Sequence, residues 1–278
     1  PMGRDGHSGI SGDAIGWATE PETSFGTGLW CEAGRPATGW SPGGDSCPER
    51  VGEPLQIKIL TYNLFWWNLF GVRHGNGNSA GNLINTNGPF DFMGFQECSD
   101  VQHVLNTAGL AHDFTGYSPA NAIGIAWNRR DWRELKKGYV DVAEDSHLQW
   151  YGVRSAVYAR LQHKRTGKIA LLVNHHGPLP THVPGGICGP EATAYNILRL
   201  IGERAHKGDA VFLVGDFNAY ADANTFAELQ KYLTLAYQGT AFRGVDEFYT
   251  NCGEVLATEN LGTGGSDHEA LKVTFGIY

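Results

Sequence analysis

No stretch of this sequence approaches the roughly 18 consecutive apolar residues of a membrane-spanning helix, so an integral helical membrane protein is not expected. The first residues also lack the charged-then-apolar order of a targeting segment. The chain therefore reads as a soluble form from which any signal peptide has been removed. Positive charge is in short supply as well: 21 Lys and Arg stand against 29 Asp and Glu, a formal net charge of −8. That balance argues against a protein that grips nucleic acid through a broad basic surface, but not against an enzyme that meets phosphates through metal ions. Internal repeats and low-complexity tracts are lacking too, which excludes solenoids and propellers.

Cysteine is scarce, with five residues: Cys31, Cys47, Cys98, Cys188 and Cys252. Cys31 and Cys47 bracket the Gly/Pro/Ser-rich stretch CEAGRPATGWSPGGDSC, which has little core of its own. A disulfide closing a loop of that size stabilises by roughly 3 kcal/mol, so a Cys31–Cys47 bond is expected and, with it, secretion. The alternative is a pair of unrelated surface thiols in a reducing cytosol. The odd total leaves a thiol over, and Cys98, directly after an apolar strand, is expected to be buried and free.

Against these shortages stand 278 residues that are 41% hydrophobic and 12% aromatic, enough for one large core. Residues 1–53 are crowded with Gly, Pro, Ser and Thr, carry Trp17, Trp30 and Trp40, and show neither a period of two nor one of 3.6. They read as an irregular extension anchored by its tryptophans. From residue 54 to 278 the rhythm is regular, and a single monomeric domain is expected. LQIKILTYNLF, PFDFMGFQE, NAIGIAWN, VRSAVYARLQH, KIALLVNHH, AVFLVGDFN and EALKVTFGIY are strand-like, and several are continuous enough to be buried on both faces. VQHVLNTAGL, PEATAYNILRLIGERAH and NTFAELQKYL are helical between them, and the turn KRTG joins two strands as a hairpin. The mixture predicts an α/β fold with two mixed sheets packed face to face and helices outside.

The strands share an ending. LTYN closes on Asn63, MGFQE on Glu97, LLVNHH on Asn174, His175 and His176, and FLVGDFN on Asp216 and Asn218, while SDH places Ser266, Asp267 and His268 just before the last strand. Each taken alone is an ordinary turn former or solvated charge. Yet a charge closing a buried run is costly without a partner, and five such endings in one chain point to a shared site.

The ordered set TYN, QE, NHH, GDFN and SDH resembles the endonuclease/exonuclease/phosphatase superfamily, the fold of pancreatic-type DNase, over roughly residues 55–278. The resemblance implies a four-layered α/β sandwich with the site along one rim. It implies that Asn63 and Glu97 ligate a divalent metal with Asp267 close by, and that Asp216 and Asn218 orient the water and the scissile phosphate or hold a second ion. His268 matches the general base, Asp246 in GVDEFYT the carboxylate that orients it, and His176 the histidine on a phosphate oxygen. Tyr117 and Arg154 match phosphate-contacting positions. Cys188 and Cys252 both follow site-bearing strands of that rim and form a second possible disulfide.

The chemistry of these residue types agrees. Mg²⁺, with Mn²⁺ or Ca²⁺ as alternatives, prefers oxygen ligands and is held by one or two carboxylates plus substrate phosphate, with no organic cofactor called for. A histidine near neutral pH with its tautomer fixed by a carboxylate accepts the proton of an attacking water. The expected activity is phosphodiester hydrolysis, first of all by a secreted nuclease acting on nucleic acid. Phospholipid head groups of a membrane are the alternative substrate, because LFWWNLFG after Asn63 puts Phe65, Trp66, Trp67, Leu69 and Phe70 near the rim, exposed for lipid or packed into the core. A toxin-like or binding module on the same fold is a further alternative, disfavoured by the complete residue set. Arg129, Arg130, Lys136, Lys137, Lys164, Arg165 and Lys168 are either a nucleic-acid contact or ordinary solvated faces.

Overall fold

The computed structural model of the protein describes residues 47, 50–71, 77–145, 152–179, 190–220 and 223–278. One six-stranded sheet runs in the order β11 (Glu254–Asn260), β12 (Leu271–Ile277), β1 (Leu55–Asn63), β2 (Phe92–Gln96), β4 (Ile123–Asn128), β3 (Phe114–Ala120). The other runs β5 (Trp132–Glu144), β6 (Val153–His163), β7 (Ile169–His176), β8 (Ala210–Asp216), β10 (Asp246–Thr250), β9 (Thr234–Gln238). Their inner faces meet in one apolar layer, where Ile57, Phe92 and Trp127 of the first sheet pack with Val157, Leu172 and Phe212 of the second.

Each outer face has its own cover. Helices α4 (Pro190–Arg204) and α5 (Asn224–Leu229) lay Ile197, Leu198, Ile201 and Phe226 on the second sheet. Helices α1 (Trp66–Leu69), α2 (Gly77–Asn87) and α3 (Val101–Thr107) lay Leu69, Ala80, Val101 and Val104 on the first. The result is the expected four-layered α/β sandwich. Central strands are therefore buried on both faces, which is why β8 reads as the unbroken run AVFLVGD, with every residue buried.

The hairpin over KRTG is present, with Gln162 opposite Ile169. The strands β3, β5, β9, β10 and β11 and the helices α1 and α2 carried no clear signal. β5 and β11 are edge strands whose residues are largely exposed, so they lack the apolar pattern. GNSAGNLINTN, the α2 sequence, has two glycines and four asparagines, poor helix formers that only packing makes helical.

The cysteine pairing differs from expectation. Cys47 is bonded to Cys252, with Cα atoms 5.5 Å apart, so neither Cys31–Cys47 nor Cys188–Cys252 forms; Cys31 and Cys188 lie outside the described residues. Cys31 is the nearer partner in sequence, but the chain before β1 runs beside the β10–β11 turn, which puts Cys47 against Cys252, 205 residues away. Cys98 is buried and free, as expected. Among the described residues no helix is long and apolar enough to cross a membrane.

The pairing of strands sets up the rim. β1 and β2 are parallel, as are β7 and β8, so Asn63 faces Gln96 and His176 faces Asp216 at matching C-terminal ends. β10 runs antiparallel to β8 and begins at the same level, with Asp246 opposite Asp216.

Candidate active site

Two glycines allow the second sheet to bring its polar ends together. A Cβ on Gly215, at φ 153°, would lie 2.0 Å from the His175 carbonyl oxygen, and one on Gly177 would lie 1.9 Å from that of Phe217. Only glycine lets β7 and β8 approach so closely where HHG and GDFN meet. Beneath the rim, Asn174 joins the sheets: its Nδ2 donates to the Phe95 and Gly124 carbonyls at 2.9 and 2.8 Å, and its Oδ1 accepts from Gln96 Nε2 at 2.6 Å. This fully buried network fixes one sheet end against the other.

Asp216 is the centre. Its Oδ2 accepts from Asn63 Nδ2 at 2.9 Å and lies 3.5 Å from His176 Nε2 and 3.6 Å from His268 Nε2; its Oδ1 accepts from the Asn218 amide at 2.9 Å. Asn63 also reaches Glu97 Oε1 at 3.4 Å, while its own Oδ1 accepts from the Phe65 amide at 3.0 Å. In this arrangement Asn63 ties two carboxylates together. Asn218 donates its Nδ2 to the Gly177 carbonyl at 3.1 Å, anchoring the GDFN turn.

The two histidines have different surroundings. His268 Nδ1 donates to Asp246 Oδ2 at 2.8 Å, leaving Nε2 toward Asp216 and the cleft. Ser266 holds this loop to β1: its hydroxyl donates to the Asn63 carbonyl at 2.7 Å and accepts from the His268 amide at 3.2 Å. Burial pulls the His268 pKa down, but the bond to Asp246 and the charges of Asp246, Asp216 and Asp267 outweigh it and lift it above the ordinary histidine value. His176 goes the other way: burial, then the neighbouring Arg154 charge, hold it well below the usual range. Arg154 Nη1 donates to His176 Nδ1 at 3.2 Å, which assigns the proton of a neutral His176 to Nε2. Arg154 is in turn locked by a buried ion pair, Nε to Asp145 Oδ2 at 2.7 Å. Asp145 carried no signal in the sequence, lying at the end of an exposed edge strand. Its Oδ1 accepts from the Leu179 amide at 2.8 Å, so it braces both sides of His176.

These groups line a cleft of about 750 Å³ with Glu97, Asn121, Arg154, His176, Asp216, Asn218, Asp267 and His268. Asn63 and Asp246 stand behind its wall. Burial, and then the neighbouring acids Asp267 and Asp216, raise the Glu97 pKa despite its hydrogen bond to Asn63, and burial raises that of Asp216. Carboxylates crowded so that each resists ionising suit a divalent cation. Among the described residues, Asp216, Asp246 and His268 also offer ligand atoms within 4.8 Å of one another. Asp246 Oδ2 already accepts the His268 N–H, and Glu97 and Asp267 are the further carboxylates lining the same cleft.

The cleft does not include Tyr117, which corrects that expectation: on β3 opposite Ile125 its ring packs at the edge of the inter-sheet core, with Lys137 Nζ 5.2 Å from its centroid. The local motif TGYSP has no signal that separates a core tyrosine from a phosphate contact. Nor do the basic clusters reach the site. Arg130 pairs with Asp113 and Lys137 with Glu134, and among the described residues lining the cleft Arg154 is the one Lys or Arg.

The aromatic stretch after Asn63 divides. Leu69 is buried and Trp66, Phe65 and Phe70 are half-buried, but Trp67 is 41% exposed beside the cleft.

Known proteins carry the same architecture. The human Nocturnin catalytic domain with bound sulfate superposes with a TM-score of 0.62 at 16% identity, covering 81% of this chain and 94% of that one. A Bacteroides thetaiotaomicron mannosyl-6-phosphatase gives 0.60 at 17%, covering 78% and 98%. D. rerio TDP2 in complex with a single-strand DNA product gives 0.55 at 13%, covering 79% and 98%. These identities show a shared fold. A search of the curated proteins finds no match. The sequence profile described as the endonuclease/exonuclease/phosphatase family matches residues 65–268, almost three quarters of the chain. The chain belongs to the endonuclease/exonuclease/phosphatase family.

Proposed function

We propose that the protein is a divalent-metal-dependent phosphodiester hydrolase of the nuclease type. The observation that carries the reading is the position of the Asp216 carboxylate between the Nε2 atoms of His176 and His268, with Glu97 and Asp267 on the same wall. Glu97 and Asp267 would hold Mg²⁺, with Asn63 and Asn218 orienting the carboxylates; the ion supplies charge neutralisation at the phosphate. Neutral His176 presents an Nε2–H donor to a phosphate oxygen, and Arg154 holds that tautomer. His268 takes the proton of the attacking water on Nε2, with Asp246 fixing the ring and stabilising the imidazolium. The raised pKa of His268 comes from its bond to Asp246 and from the charges of Asp246, Asp216 and Asp267, carboxylates whose charge a divalent cation at this rim would partly neutralise. The Cys47–Cys252 disulfide supports secretion.

Exposed Trp67 on the rim favours a second reading, a phospholipid head group presented by a membrane. Incubation with plasmid DNA, RNA, bis(p-nitrophenyl) phosphate and sphingomyelin vesicles, each with Mg²⁺ or EDTA, separates the two. Cleavage of nucleic acid that stops with EDTA supports the first; hydrolysis confined to sphingomyelin supports the second; EDTA-insensitive turnover overturns the metal requirement.

A further inference from the structure

Phe242 has no place in the chemistry above and no clear place in the fold. It sits in a short 3-10 turn, Ala241–Arg243, with φ 46° and ψ 36°, and it is 53% exposed. A left-handed conformation at an aromatic residue costs on the order of 1 kcal/mol or more, and glycine would remove the cost. Folds accept such strain to bury a side chain, but this one stays largely in water. What the strain achieves is to hold the ring over the His268 imidazole, with centroids 4.6 Å apart and planes at 38°. The next residue repeats the pattern: Arg243 also has positive φ, 67°, and its guanidinium lies over the Tyr220 ring, 5.2 Å from the centroid.

Among the described residues, the three large apolar side chains exposed along the cleft, Trp67, Tyr220 and Phe242, are all aromatic, whereas an acyl chain would be served equally by Leu or Ile. Among the described residues lining the cleft Arg154 is the one Lys or Arg, and it is paired with Asp145 rather than set out along a row of cations that would follow a polyanionic backbone. A flat ring beside the phosphate position, with no run of positive charge among the described lining residues, fits a planar heterocycle bound face to face. Stacking of this kind works for every base and confers a preference for base-bearing substrates without sequence readout.

We infer that Phe242, backed by Arg243 and Tyr220, forms a stacking subsite for the nucleobase attached to the phosphate that enters the cleft. This rests on the phosphodiester hydrolase reading and narrows its substrate to nucleotide-bearing esters.

Binding tests the subsite apart from turnover. Calorimetric titration of the protein in Mg²⁺ with thymidine 5′-monophosphate and with 2-deoxyribose 5-phosphate compares ligands that differ only by the base. The nucleotide should bind about ten-fold more tightly, the magnitude of one aromatic–base stack. The preference should collapse to near unity in Phe242→Gly, which relieves the positive φ and so should melt no lower than the unsubstituted protein, and should survive partly in Phe242→Tyr. Equal affinities in the unsubstituted protein, or an undiminished preference in Phe242→Gly, overturn the subsite, as does a Phe242→Gly change that weakens binding to sphingomyelin vesicles while leaving the nucleotide preference untouched. Hydrolysis of bis(p-nitrophenyl) phosphate by the same preparations reports on the parent reading alone. Turnover without base preference removes the subsite only, and base preference without turnover removes the hydrolase only.

Discussion

His268 Nδ1 and Asp246 Oδ2 stand 2.8 Å apart, both side chains almost wholly buried, His268 on the loop before β12 of one sheet and Asp246 opening β10 of the other. The contact defines a unit: Asp246 touches the proposed chemistry only through this imidazole. His268→Ala is expected to lower the rate constant by about 10²-fold or more with little change in substrate affinity. Asp246→Asn should be costly alone and nearly silent in a background already lacking His268, because residues that act as one are not additive. Additive losses in the four-protein cycle would mean the pair does not work together.

Glu97→Gln keeps the shape of the side chain and removes its charge from the proposed cation site. Hydrolysis at limiting Mg²⁺ should fall to background, and calorimetry should show weaker Mg²⁺ binding. Near-normal turnover at limiting Mg²⁺ would remove Glu97 from the metal site.

Asp145 is expected to act through Arg154. Asp145→Ala leaves a buried guanidinium without its carboxylate, which costs about 3–5 kcal/mol of stability. The change should also free the His176 tautomer. If the role is more than structural, Asp145→Glu should restore a larger share of kcat than of melting temperature; parallel recovery of both would leave only the structural role.

His175 gives a pH dependence of stability. It is fully buried with Nδ1 donating to the Ser155 carbonyl at 3.1 Å, and burial drives its pKa down to about 4. Because the folded value lies below the ordinary one, the unfolded chain takes the proton first. The contribution is therefore full above pH 6.5 and is lost as pH falls from there toward 4, at no more than about 1.4 kcal/mol per pH unit. His175→Asn, which keeps an N–H donor near the Nδ1 position, should lower stability at pH 7 yet flatten the slope between pH 6.5 and 4. Urea unfolding at pH 7, 6 and 5 checks it; an unchanged slope would mean that other groups set the acid limb.

Peptide mapping under non-reducing conditions should recover Cys47 joined to Cys252, with Cys98 reacting only after unfolding, since burial also pushes its thiol pKa up. Cys252→Ser should cost about 2–4 kcal/mol. A Cys31–Cys47 peptide would contradict the pairing.

Much of the site was legible because buried strands end abruptly. In β1, β7 and β8 an apolar run passes directly into Asn63, His176 or Asp216, and the contrast within a few residues marks both the strand and the polar end it carries to the rim. Asp145, Phe242 and the placement of Tyr117 gave no such contrast. Asp145 and Phe242 lie on an exposed edge strand's end and a short turn, and Tyr117 sits on another edge strand, where neither periodicity nor composition separates a core residue from a contact.

By itself the sequence determined which residues are strands buried on both faces, that polar groups collect at their ends, and that Cys98 has no disulfide partner, because each follows from local contrast between apolar and polar residues. Only the tertiary structure decided that Asp216 lies between His176 and His268, that Cys47 meets Cys252 across 205 residues, and that Phe242, at positive φ, lies over the His268 ring. Those relations depend on which strands are neighbours and in what register. That is set by the packing of two sheets against one core, and no short stretch of chain contains it.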